Sequence, residues 1–191
     1  RRGRPVRGSR AGAARQAVTQ MAERLAGAKR PLILAGGGAL AAGAALARLA
    51  EHLQAPVALT INAKGLLPAS HPLQIGSTQS LPATRALVAE ADVVLAIGTE
   101  LAETDYDVTF KGGFEIPGSL LRIDIDPDQT VRNYLPELAL VADAKLAAEA
   151  LLGALQTQPQ PVRESTWGVA RVANLRKACL LYTSPSPRDK R

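Results

Sequence analysis

Short aliphatic runs alternate with longer amphipathic stretches along this chain. Between residues 11 and 28, Ala14, Ala17, Val18, Met21, Leu25 and Ala28 recur at three- and four-residue spacing. That period places them on one helical face, and Lys29-Arg30-Pro31 ends the helix. A repeating unit follows. Residues 32–35 form an apolar run, Gly36-Gly37-Gly38 a turn, and residues 41–53 a helix. Residues 57–60 form a second run, followed by a Gly- and Pro-bearing loop. Residues 81–91 read as a helix and 93–97 as a third strand ending at Gly98. The fourth strand, 120–125, runs into Asp126-Pro127, and residues 128–132 have the length of one helical turn. Residues 138–141 are a fifth strand. Asp143 is placed to cap a last helix over 144–155, its carboxylate accepting backbone N–H bonds.

The strands are aliphatic throughout and do not alternate with polar residues. Such strands are buried on both faces, as in a parallel sheet, and intervening helices make βαβ crossovers the natural connection. The expected fold is therefore α/β, doubly wound, with a mainly parallel sheet and helices on both faces. Residues 1–10, rich in Arg, Gly and Pro, read as a basic inter-domain linker, and 11–155 as the domain. Residues 156–177 read as a second linker with weak helical character over 166–177, in which Trp167 would anchor packing against a neighbouring domain. Residues 178–191 lack periodicity and are expected to be non-native or disordered. The run CLLYTSPSPRD there resembles translated adaptor read-through.

Charge changes the picture. The formal net charge is +6, yet residues 31–155 carry −7, while 1–30 carry +8 and 156–191 carry +5. An acidic core with only 3% aromatic residues offers neither the basic surface nor the stacking rings that nucleic-acid binding uses. Cys179 stands alone, which excludes an intramolecular disulfide and a cysteine-only metal site. No run approaches the ~20 apolar residues of a membrane helix, and no apolar segment follows the N-terminal arginines as in a secretory signal. The expected location is the cytoplasm, with no membrane or nucleic-acid partner.

Open α/β sheets bind ligands beyond the carboxyl ends of their strands. The candidates for a nucleotide are therefore Gly36, Gly37, Gly38, Thr60, Asn62, Lys64, Gly98, Thr99, Asp124 and Asp126. Gly36–Gly38 with Ala41 matches G-x-G-x-x-A, which lets a phosphate approach the backbone or simply makes a tight turn. The second strand ends Thr60-Ile61-Asn62, without the acid that a nicotinamide site places there. Asp124 and Asp126 either accept bonds from ribose or ribityl hydroxyls or cap the following turn. Glu100, Glu103, Asp105 and Asp107 crowd one loop. They either recognise a cationic group through charge-assisted hydrogen bonds or form a solvated acidic loop. No catalytic residue and no metal site are evident.

The stretch AKRPLILAGGGALAAGAALARLAEHLQAPVALTINAKGLLPASHPLQIGSTQ, with EADVVLAIGTEL and LLRIDIDPDQ in that order, resembles the central domain of thiamine-diphosphate enzymes of the acetolactate-synthase type. Within that family it is similar to the 5-guanidino-2-oxopentanoate decarboxylases. The resemblance implies a 2-oxo acid decarboxylase or carboligase that works as a dimer or tetramer. Thiamine diphosphate and Mg²⁺ would be held by two further domains, leaving this fragment inactive alone. It also implies an FAD-bearing domain in acetolactate synthases. The family's Gly-x-Arg stands here as Gly98-Thr99-Glu100, however, and its Met-His-Gly as Ser77-Thr78-Gln79. A flavin diphosphate would face a like charge at Glu100, so FAD is expected not to bind tightly. The alternative is a free-standing nucleotide-binding or regulatory module of Rossmann-like fold.

Overall fold

The computed structural model describes residues 10–102, 113–159 and 163–183. Six strands form one sheet: β1 (Pro31–Ala35), β2 (Val57–Leu59), β3 (Gln74–Gly76), β4 (Val93–Ile97), β5 (Ser119–Asp124) and β6 (Leu138–Val141). Among the described residues, five α-helices accompany them: α1 (Arg10–Gly27), α2 (Gly43–Leu53), α3 (Pro82–Glu90), α4 (Ala144–Leu155) and α5 (Val169–Thr183). The strand order is β3-β2-β1-β4-β5-β6. Every pair is parallel. The order reverses between β1 and β4, which makes their carboxyl ends the topological switch point of a doubly wound sheet.

The unbroken aliphatic strands β1 and β4 are explained by two cores, one on each face. Along β1, Ile33 and Ala35 join the core beneath α1, α2 and α4, while Leu32 and Leu34 join the opposite core. Along β4, Val93, Leu95 and Ile97 face the first core, and Val94 and Ala96 the second. The period of two is present in direction, but both directions are apolar, so no alternation shows in the sequence.

Several elements depart from expectation. β3 lies inside what reads as a Gly/Pro loop, and it exists by pairing with β2 through Val57↔Gln74 and Ala58↔Gly76. The helix expected to begin at residue 41 is preceded by a 3-10 helix, Gly37–Ala42, with the α-helix starting at Gly43. Residues 128–132 form hydrogen-bonded turns, not a helical turn; Thr130 N–H donates to Pro127 O at 3.2 Å. Asp143 caps α4 as expected, accepting from Leu146 N–H at 3.0 Å.

The segment beyond α4 folds back onto the domain. Trp167, Val172 and Leu175 are buried in the second core, so Trp167 anchors this domain's own sheet instead of a neighbour. Arg163 donates to the carbonyls of Leu25 and Ala26 at 3.1 and 3.5 Å and to that of Ala28, closing the carboxyl end of α1. Burial lowers its guanidinium below the ordinary arginine value, with Asp92 opposing the shift. Arg176 donates to the carbonyls of Ala69, His71 and Gln74 at the β3 edge. α5 continues to Thr183, past the residue-177 end that the sequence suggests.

Candidate functional site at the switch point

The turns after β1 and β4 interlock. Gly36 N–H donates to Ile97 O, and Gly38 N–H donates to Gly98 O, both at 3.0 Å. A Cβ on Gly36 would press into Gly98 O and lie 2.6 Å from Thr99 Cα. One on Gly98 would lie 2.5 Å from Ala39 N, at a φ of +58° that glycine adopts without strain. Glycine is thus required on both sides because two backbones cross where side chains would stand. Ala39 N–H also turns inward, to Gly36 O at 3.0 Å. Amides at 36, 38 and 39 are therefore spent on protein carbonyls, unlike the outward-pointing amides of a phosphate cradle.

Asn62 and Thr60 belong to the same cluster. Thr60 is buried, its N–H bonding Ala35 O at 2.9 Å and its carbonyl accepting from Ser77 Oγ at 3.0 Å. Asn62 packs beside Gly37, whose added Cβ would be 3.1 Å from that of Asn62. Lys64 stands apart, lining a cleft of about 580 Å³ with Leu59, Ile61, Gly76 and Ser77.

Asp124 and Asp126 turn toward their own backbone. Asp124 Oδ1 accepts from Asp126 N–H at 3.0 Å, and Asp126 Oδ1 from Asp128 N–H at 2.9 Å. Each closes an Asx turn. Glu100 is exposed at the mouth of the switch point. Glu103, Asp105 and Asp107 lie outside the described residues.

Three residues that the sequence reading passed over organise the approach to that mouth. Arg122, on central strand β5, is 1% exposed. Its guanidinium donates to Thr99 O at 2.8 Å, to Arg132 O at 2.5 Å and to Tyr134 O at 3.4 Å. Asn133, at φ +64°, donates from Nδ2 to Glu100 O and Leu101 O at 3.2 and 3.1 Å. Leu101 itself sits at φ +49°, its N–H held by Thr99 Oγ1 at 3.2 Å. A non-glycine residue in this region costs of order 1–3 kcal/mol and persists only when its neighbours enforce it. Tyr134 Oη accepts from Phe114 N–H at 2.8 Å. The available signal was an arginine inside the aliphatic strand Leu120-Leu121-Arg122-Ile123, a charge that burial tolerates only when hydrogen-bonded.

Among the described residues, no group of three or more His, Cys, Asp or Glu is gathered to hold a metal, and no helix is long and apolar enough to cross a membrane.

The family described as "Thiamine pyrophosphate enzyme, central domain" matches residues 18–151. The chain is 46% identical over 161 residues to a protein of Pseudomonas aeruginosa named probable 2-ketoarginine decarboxylase AruI, covering 84% of this chain and 28% of that one. It is 34% identical to a probable acetolactate synthase large subunit of Methanocaldococcus jannaschii, covering 84% and 27%. Against pyruvate oxidase of Lactiplantibacillus plantarum the identity is 36%, covering 84% and 26%. A solved Mycobacterium smegmatis structure titled as a thiamin diphosphate-dependent enzyme shares the fold at a TM-score of 0.59 and 24% identity, over 80% of this chain and 29% of that one. The chain thus spans little more than a quarter of the length of these curated relatives. With an all-parallel sheet of reversing order and a family match that runs from α1 into α4, the chain belongs to the thiamine pyrophosphate enzymes, as a central domain of that family.

Proposed function

We propose that this domain is the scaffold of a thiamine-diphosphate-dependent decarboxylase acting on a 2-oxo acid with a guanidino side chain. The observation that carries the reading is the 46% identity, over 84% of the chain, to a relative named for 2-ketoarginine, against 34% and 36% to the acetolactate synthase and the pyruvate oxidase. Thiamine diphosphate supplies the electron sink for decarboxylation when bound. It and Mg²⁺ belong to other domains of the parent chain, which works in the cytoplasm as a homodimer or homotetramer. The present residues serve to hold those domains in register.

Glu100 supports the substrate class. A carboxylate at the switch point can pair with the planar fork of a guanidinium, and Glu103, Asp105 and Asp107 continue the same acidic segment. The same carboxylate disfavours a tightly held FAD. A flavin diphosphate at the Gly36–Gly38 turn would meet Glu100 and amides already bonded to Gly98 O and Gly36 O. Gly36, Gly37, Gly38, Asp124 and Asp126 are accordingly read as turn-forming residues.

The test is steady-state decarboxylation by the thiamine-loaded parent enzyme with 5-guanidino-2-oxopentanoate and with pyruvate. A higher kcat/KM for the guanidino acid is expected. Equal or higher kcat/KM for pyruvate removes the substrate assignment.

A further inference from the structure

The cleft beside Lys64 lies at the carboxyl ends of β2 and β3, outside the switch point between β1 and β4. Its volume of about 580 Å³ falls in the range of small-molecule sites. The walls are mainly aliphatic. Leu59 and Leu67, each 1% exposed, line it from the buried side, and Ile61, 69% exposed, stands at its rim beside Ala69. Gly65 at φ +91° and Gly76 at φ +82° also line it, so the two left-handed positions put no side chain into the opening.

Its polar groups divide into those already bonded and one that is not. Gln74 Nε2 donates to Leu67 O at 3.1 Å, and Ser77 Oγ donates to Thr60 O at 3.0 Å. The amides of Ala63, Lys64 and Leu66 donate to Thr60 O, Ile61 O and Ala63 O. Behind the wall, the Arg176 guanidinium is spent on Ala69 O, His71 O and Gln74 O. The Lys64 ammonium has no hydrogen bond or ion pair among the described residues. No carboxylate lines the cleft, and no Asp or Glu occurs between Glu51 and Glu90. Within a domain that carries −7 over residues 31–155, this cleft therefore presents positive charge alone.

A single ammonium beside an aliphatic wall restricts the ligand. A phosphate is met by free backbone amides or by several donors at once, and the turn amides here are already bonded. A sugar or a second carboxylate would bring polar groups against Leu59 and Leu67 with nothing to bond them, which is costly. A cation is repelled by Lys64, and a neutral hydrocarbon leaves the ammonium unused. We propose that this cleft is a binding site for an aliphatic monocarboxylate, its carboxylate on Lys64 Nζ and its chain along Leu59, Ile61 and Leu67. The site does not depend on which 2-oxo acid the parent enzyme consumes.

Octanoate titrated into the 191-residue chain, followed by amide chemical shifts, should saturate with the largest shifts at Lys64, Gly65 and Gly76. Affinity should rise about fourfold per methylene from butanoate through hexanoate to octanoate, equivalent to about 0.8 kcal/mol for each CH₂ buried. Lys64→Gln should weaken octanoate about tenfold or more, the scale of a hydrogen bond to a charged group. Lys64→Glu should transfer the preference to octylammonium. Lys64 is exposed, so both variants should keep the urea midpoint of the parent sequence. Binding that K64Q leaves unchanged, affinity that ignores chain length, or shifts centred elsewhere overturns the assignment. Tighter binding of inorganic phosphate or flavin mononucleotide than of octanoate overturns the ligand class. The same titration in the parent enzyme decides between ligand and protein as the occupant. Octanoate binding retained there supports the site, and its loss shows that a neighbouring domain covers the cleft and overturns the proposal.

Discussion

The indole N–H of Trp167 donates to the carbonyl oxygen of Pro31 at 2.8 Å. One bond thus ties the segment beyond the last crossover helix to the first residue of the first strand. It is buried, and Val172 and Leu175 extend the same contact over the core that Leu32 and Leu34 line. Trp167→Ala should lower unfolding free energy by about 3–5 kcal/mol, the range for large-to-small core changes. Trp167→Phe, which orphans the Pro31 carbonyl, should cost about 1–3 kcal/mol. A chain ending at Pro159 should lose cooperative urea unfolding, because Trp167, Val172 and Leu175 are removed from the core that Leu32 and Leu34 line. Two-state unfolding of that truncated chain at wild-type midpoint would show the segment to be dispensable.

The crossed backbones at Gly36 and Gly98 set a second expectation. Gly36→Ala and Gly98→Ala each put a methyl into main-chain atoms that cannot yield, and each should destabilise by more than about 3 kcal/mol or prevent folding. Gly153, inside α4, has nothing within 4 Å of an added Cβ. Gly153→Ala should therefore stabilise by about 0.5–1 kcal/mol through helix propensity. Urea midpoints of the three variants give the comparison.

Asp143→Ala removes the carboxylate that caps α4 at Leu146 N–H and should cost about 1 kcal/mol, whereas Asp143→Asn should keep most of the cap. α4 packs on both α1 and α2, so the loss should appear as a shift of the single global transition in thermal unfolding.

If the flavin assignment proposed above holds, flavin affinity should follow the charge at position 100. Fluorescence titration should find no saturable FAD binding by the chain. Glu100→Arg, which converts like charge to an attractive pair with a diphosphate, should bind more tightly than the parent sequence by roughly tenfold or more. Tight saturable binding by the unaltered chain would reverse this assignment.

What lay open in the sequence were features whose cause is local. Aliphatic runs such as Val93–Ile97 need burial on two sides whatever their partners, and a glycine after each of β1 and β4 marks a turn that no Cβ permits. Asp143 before an apolar helical run is a cap by its own chemistry. The candidates Gly36, Gly98 and Asp124 were also legible as strand ends, since a parallel sheet puts the carboxyl ends of its strands on one edge.

The rest required distance in sequence to become nearness in space. β3 has three residues and no pattern of its own; pairing with β2 alone makes it a strand. Trp167 meets Pro31 across 136 positions, and no local period announces that. Arg122 would read as a misplaced charge until Thr99, Arg132 and Tyr134 present their carbonyls to it. Local chemistry thus dictates which segments are strands, helices and turns. Only the assembled sheet decides which polar group satisfies which, because a buried hydrogen bond depends on where the chain returns.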